Sequence, residues 1–201
     1  NVRRLKQAKS SLIKDVNASL RKNDSFQVEI KTKLLALLFC TLSEAQFIQI
    51  VHTPKGFAYS EIQKIKLAKN SGLENGWKTM IDLALAKVGD WNKNHDLKKR
   101  RKTLHDVVVK YIISPSLLRN KIAHGQWEIA LNRENTAENQ DLTAELLDLN
   151  LVEVTRWFEI HQYLGMIIRD LIQSPKVGFH NNYWTNLLKT RNQLVQIIQD
   201  L

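Results

Sequence analysis

Apolar residues at Leu5, Ala8, Leu12, Val16 and Leu20 recur every three or four positions with basic and polar residues between them, a period that predicts an amphipathic helix. Asn23, Asp24 and Ser25 supply N-cap chemistry for a second helix running to about His52. Its centre, Leu34 to Cys40, is apolar on every side, which predicts a buried central helix. Thr53, Pro54, Lys55 and Gly56 end it. Ser60 with Gln63 matches a capping box ahead of a basic helix that closes near Gly72. Asn75 and Gly76 precede a helix from Trp77 to Val88, stopped by Gly89. A further helix is expected from Asp96 to about Ile113. Pro115 cannot donate a backbone hydrogen bond and disfavours helix at Ser114, so a kink or a new helix starts there and runs to Gly125.

Beyond Gly125 the period changes. Trp127, Ile129 and Leu131 alternate with Glu128, Ala130 and Asn132, which predicts a short strand. Arg133 to Asp141 reads as a loop and Leu142 to Leu149 as a returning second strand, together a hairpin-like excursion at about 126–149. Asn150 with Glu153 caps a helix from Leu151 to Gln173, ended by Ser174 and Pro175, and a last helix is expected from about Asn182 to Leu201. No internal repeat or low-complexity linker interrupts the chain. The expected fold is therefore a single, mainly all-α domain over 1–201, a multi-helix bundle with a β-like acidic excursion.

Composition strengthens the helical reading, since 201 residues hold only 7 Gly and 3 Pro. Cys40 is the single cysteine, which leaves no disulfide framework or thiolate metal cage and makes a reducing cytoplasm the expected location. The longest uncharged apolar run lies between Lys33 and Glu44, well short of the roughly 18 to 20 residues that span a bilayer, so no transmembrane helix and no membrane partner are expected. The formal charge of +10 is unevenly spread. Residues 1–125 carry 24 basic and 10 acidic side chains, and residues 126–201 carry 6 and 10. An anionic polymer such as RNA should meet the first part.

The six histidines show no metal-ligand spacing, and no phosphate loop, nucleophile elbow or dinucleotide fingerprint is present, so neither a metal nor a cofactor is expected. What remains is the run Leu118, Arg119, Asn120, Lys121, Ile122, Ala123, His124, Gly125. It resembles the R-N-x-x-x-H form of the motif of HEPN-domain ribonucleases. That resemblance implies an all-helical fold, catalytic Arg119, Asn120 and His124, a homodimer whose two motifs form one composite site, and use in bacterial phage defence or a toxin–antitoxin system, with an inhibitory, antitoxin-like partner protein. Some relatives place a tyrosine two residues after the histidine; this chain has Gln126 there, followed by Trp127.

The chemistry can be argued from the residues themselves. Cleaving RNA requires a deprotonated 2′-hydroxyl, a protonated 5′-oxygen and balanced charge on the phosphorane. His124 can move the proton, Arg119 offers a planar fork to the phosphate, and Asn120 can orient Arg119, His124 or the phosphate. Five residues along a straight helix rotate by about 500°, leaving Arg119 and His124 roughly 140° apart, so one undistorted helix cannot aim both at one phosphate. Either Gly125 lets the helix unwind at His124 or the site is shared between two copies. Glu44 interrupts the apolar face of the central helix, and a buried carboxylate there would orient Arg119. Lys98, Lys99, Arg100, Arg101 and Lys102, with Lys121 inside the motif, are the expected contacts to the RNA backbone. Trp127 either stacks on a base or anchors the following strand in the core. The acidic excursion is expected to meet protein rather than RNA. The expected function is a metal-independent endoribonuclease acting on single-stranded or loop RNA and leaving 2′,3′-cyclic phosphate or 3′-phosphate ends. The alternative is a non-catalytic RNA-binding or protein-interaction domain of the same fold.

Overall fold

The computed structural model describes residues 1–186. These residues are all-α, with no named strand among them. They organise as two compact units, Asn1–Ala45 with Ser114–Phe158, and Gln46–Ile113 with the described residues from Glu159. No linker marks the division in the sequence, because two of its crossings fall inside continuous helices.

In the first unit, α1 (Val2–Arg21) turns into α2 (Ser25–Val51) through Asn23, whose φ is +55°. The amides of Asn23 and Asp24 bond back to the carbonyls of Leu20 and Ser19, each at 3.1 Å, closing the helix end with asparagine at the left-handed position. Asp24 Oδ1 then accepts from the Gln27 amide at 3.1 Å, the cap that the sequence predicts. Val16 of α1 is buried, and the Lys31 ammonium donates to Ser19 Oγ at 2.8 Å. The unit is completed by α6 (Ser114–Ala123), α7 (Gln140–Leu147) and the start of α8 (Leu151–Gln173). Its centre is aromatic, with Phe39 edge-on to Phe158 at 5.2 Å and tilted against Trp157 at 5.7 Å.

The expected hairpin is not what forms. Its first arm contributes one antiparallel bridge, Leu131 to Glu138, around a turn in which Asn135 has φ +54°. The second arm is α7. Asn139 Oδ1 accepts the Leu142 amide at 3.1 Å, and Leu142 and Leu146 share a face at helical spacing. A short apolar segment satisfies both periods, and the cap decides between them.

The second unit holds α3 (Tyr59–Asn70), α4 (Leu73–Ala86), α5 (His95–Val108), the rest of α8 and a helical segment at 178–186. The expected terminal helix otherwise lies outside the described residues. Trp77, Met80, Ile81, Ala84 and Leu85 of α4 are fully buried in its core. Two expectations shift here. Glu61, rather than Ser60 and Gln63, caps α3, accepting the Ala58 amide at 2.6 Å. Gly76 lies inside α4 instead of before it, at a close approach to α3 where an added Cβ would sit 2.9 Å from Lys69 Cβ. At Pro115 the expected break takes a specific form: Val109–Ile113 is a π-helical turn, and α6 restarts at Ser114. A missing N–H removes an i→i−4 bond, which a wider turn accommodates.

By length and composition α2 could cross a membrane, contrary to the sequence expectation: an 18-residue window has a mean hydropathy of 1.8, and 56% of it is buried inside the protein. The sequence argument counted an uninterrupted apolar run, whereas a window admits isolated charges. Burial of over half the window is what a core helix requires.

Candidate functional site

The motif occupies the last two turns of α6. His124 still donates its amide to the Asn120 carbonyl at 3.1 Å, so the chain remains helical up to it. The reversal comes one residue later. Gly125 has φ +79°, its amide bonds to Ile122 O at 3.1 Å, and the Gln126 amide bonds to Lys121 O at 3.0 Å. These are the two bonds of a Schellman motif, with glycine where a side chain would be strained. The unwinding at His124 that would bring it round to Arg119 does not occur, and the angular separation of roughly 140° stands.

His124 is exposed, and its ring makes no hydrogen bond or ion pair among the described residues. Asn120 is also exposed. Arg119 Nη2 donates to Glu44 Oε1 at 3.2 Å, so the expected pairing is present. Its premise fails, however: the Glu44 side chain is 49% exposed and that of Arg119 is 32% exposed, which makes this a surface ion pair rather than a buried one. Arg119 Nε is enclosed without a hydrogen-bond partner. Beside it, Cys40 lies 3.8 Å from the Pro115 carbonyl. Burial pushes its thiol up to about 11, against the opposing influence of Arg119 and Ser116, so Cys40 is a neutral packing group rather than a nucleophile.

The segment after the motif is tied back to it. Trp127 Nε1 donates to Ile122 O at 3.0 Å, so this ring acts as an anchor. The Leu131 amide donates to Gln126 Oε1 at 2.8 Å. The Lys121 ammonium donates to the Leu131 carbonyl, which commits it to the fold rather than to a phosphate. Lys33, fully buried in α2, bonds to the Trp127 carbonyl and to Glu29. Sequence reasoning missed Lys33 and Gln126. The one available signal was Glu29 four residues before Lys33, a spacing that pairs charges on a helix.

The basic run belongs to the second unit, and it is divided. Lys98, Lys99 and Lys102 are exposed. Arg100 is 8% exposed, paired with Asp96 at 2.6 Å and set against the rings of Tyr183, Phe179 and Trp184 at 4.6, 5.2 and 5.4 Å, so it is withdrawn from any RNA path. Arg101 makes a bidentate pair with Asp82 at 2.6 and 2.7 Å and covers the Trp91 ring at 4.3 Å. His105 Nε2 completes the cluster, 2.8 Å from Asp82 Oδ1. Burial alone would raise the Asp82 pKa, but hydrogen bonds from His105 and Arg101 outweigh it and hold this carboxyl below its ordinary value. Among the described residues no group of three or more His, Cys, Asp and Glu side chains is placed to hold a metal ion. Comparison with family models, with characterised proteins and with solved structures gives no match.

Proposed function

We propose that the chain is a metal-independent endoribonuclease of the HEPN type, with Arg119, Asn120 and His124 as its catalytic residues and Glu44 positioning Arg119. The observation that carries this reading is the state of His124: an exposed, unpartnered imidazole on the last residue before a glycine reversal, on the same helix as a partly exposed arginine. A ring nitrogen of the exposed imidazole can accept the 2′-hydroxyl proton. The 2′-oxygen attacks phosphorus and the bond to the 5′-oxygen breaks. Arg119 balances the phosphorane charge, and His124 of a second copy returns a proton to the leaving oxygen. Products are a 2′,3′-cyclic phosphate and a 5′-hydroxyl. The angle between Arg119 and His124 favours a site shared by two copies over one built within a single helix. A cytoplasmic role in defence or toxin–antitoxin control is part of the same reading.

The test is cleavage of a labelled single-stranded RNA in EDTA by the full chain and by His124→Ala. Activity in EDTA that disappears in the variant while RNA binding persists is expected. Cleavage that needs a divalent ion, or that survives in His124→Ala, overturns the mechanism and leaves the non-catalytic domain.

A further inference from the structure

Apart from the Arg119–His124 site, the first unit carries an open, largely apolar groove of about 720 Å³. Its lining comes from the end of α1 (Leu20), from the turn and first two turns of α2 (Asp24, Ser25, Val28, Glu29 and Thr32 among them) and from the α7–α8 connection, Leu147 to Val152. Burying apolar side chains is the main favourable term in folding, yet here Leu147 is 62% and Val152 67% exposed, with Leu20 also open. Exposed apolar residues gathered around one concavity, rather than scattered, mark an interaction site.

The groove has a sign. Asp24 and Glu29 are among its lining residues, which include no cation. Glu145, Asp148 and Glu153 lie in the same α7–α8 region. Burial raises the Glu153 pKa, and repulsion from Glu145 and Asp148 adds to it against the opposing Arg156. Glu29 already pairs with the Lys33 ammonium, so the charge left uncompensated is that of Asp24 and of the Glu145, Asp148 and Glu153 group, where an occupant that brings positive charge relieves the repulsion.

We propose that this groove docks an amphipathic helix of a partner protein, seating its apolar residues among Leu20, Val28, Leu147 and Val152 and setting lysine or arginine side chains against Asp24 and the Glu145, Asp148 and Glu153 carboxylates beyond. A helix fits better than an extended strand, because no strand edge is offered to pair with a peptide backbone, whereas a helix satisfies its own. The α2 stripe Ser25, Val28, Glu29 and Thr32 follows i, i+3, i+4 and i+7 and extends for about 10 Å, the length of two turns. A groove-to-groove contact between two copies is disfavoured, since it would bring two acidic rims of like charge together.

The experiment measures binding of two labelled synthetic peptides of equal length to the full chain by fluorescence anisotropy. Both carry leucines at i, i+3, i+4 and i+7; one is flanked by lysines and the other by glutamates. The lysine peptide is expected to bind on the order of tenfold more tightly at low salt, with the gap closing as salt rises. Leu147→Asp with Val152→Asp, both at exposed positions, adds negative charge and yet is expected to remove binding of the lysine peptide while the helical circular dichroism is kept. Equal affinity for the two peptides overturns the proposal. So does lysine-peptide binding that persists or strengthens in the double variant, which would be attraction to an acidic surface without docking. Self-association of the wild-type chain that Leu147→Asp with Val152→Asp abolishes would assign the groove to a second copy and overturn it equally.

Discussion

Arg101 and His105 on α5 stand four residues apart, while Arg119 and His124 at the end of α6 stand five apart, and that one-residue difference separates two kinds of chemistry. A rotation of about 400° returns the first pair to the same helix face, so both converge on Asp82. A rotation of about 500° sends the second pair to different faces, so Arg119 finds Glu44 and His124 finds solvent. The residue types are the same, but their availability is not. In the α5 cluster Asp82 accepts from both partners, and little is left over for a substrate. At the end of α6 the imidazole is uncommitted, and only one of the guanidinium's bonds is to a carboxylate. Residue identity alone would nominate either pair; of the two, the second leaves its imidazole without a hydrogen-bond partner among the described residues, and the proposal rests on that difference.

The sharpest way to break the comparison is to remove each histidine in turn. His124→Ala is expected to lower RNA cleavage by about 10²- to 10⁴-fold, the usual contribution of a positioned acid–base group, with little change in stability. His105→Ala is expected to lower the denaturation midpoint and leave cleavage per folded molecule unchanged. A folded His105→Ala protein that has lost cleavage would make the α5 cluster the site and reverse the assignment.

Next in size is the clamp itself. Asp82→Asn removes the charge that both Arg101 and His105 bond to and is expected to cost about 1 to 3 kcal/mol in urea titrations at pH 7. The sign of the pH dependence follows from the depressed pKa of Asp82. The unfolded carboxyl titrates near its ordinary value and the folded one below it, so the stabilisation is complete above the ordinary range and is lost as pH falls through the folded value. The wild-type chain should therefore lose stability more steeply than Asp82→Asn as pH falls below the ordinary carboxyl value of 3.8. Parallel curves would mean that the cluster contributes packing and not charge.

Much of the helical framework was legible because it rests on local signals: the caps at Asp24, Asn150 and Gly125, the break at Pro115 and the apolar centre of α2 each act within one or two turns. The excursion after Gly125 was misread for a local reason too, since a few alternating residues also fit a helical face until Asn139 is recognised as its cap. Contacts across long sequence separation were harder. The Glu44–Arg119 pair was anticipated, but for a burial that neither residue has. Lys33 reaching the Trp127 carbonyl, and Arg100 lying against Tyr183, depend on tertiary placement that no spacing encodes. A run such as Lys98 to Lys102 reads as one basic surface, whereas a helix turns its members to different sides and buries some of them.

A smaller effect tests the helix end that presents His124. Gly125 has open space where a Cβ would go, yet its φ of +79° is one that side chains rarely adopt. Gly125→Ala should therefore cost about 1 kcal/mol through backbone strain alone. Because the Lys121–Gln126 and Ile122–Gly125 bonds would loosen with it, cleavage per folded molecule should fall, whereas His105→Ala leaves it unchanged despite a larger loss of stability. Unchanged cleavage would show that the ring's presentation does not depend on the cap.

The smallest expected effect belongs to Glu44. An ion pair between two partly exposed side chains contributes about 0 to 1 kcal/mol, so Glu44→Gln should change stability by no more than a few tenths. The amide oxygen still accepts from Arg119, so the guanidinium keeps its orientation while a negative charge is removed from the path of an incoming phosphate. A positioning role therefore predicts near-normal kcat with a lowered KM at low salt, converging on the wild-type value as salt screens the difference. Glu44→Ala, which removes the acceptor as well, should lower kcat instead. If both variants leave kcat and KM unchanged, the pair is an incidental surface contact, and Arg119 takes its orientation from the packing that encloses its Nε.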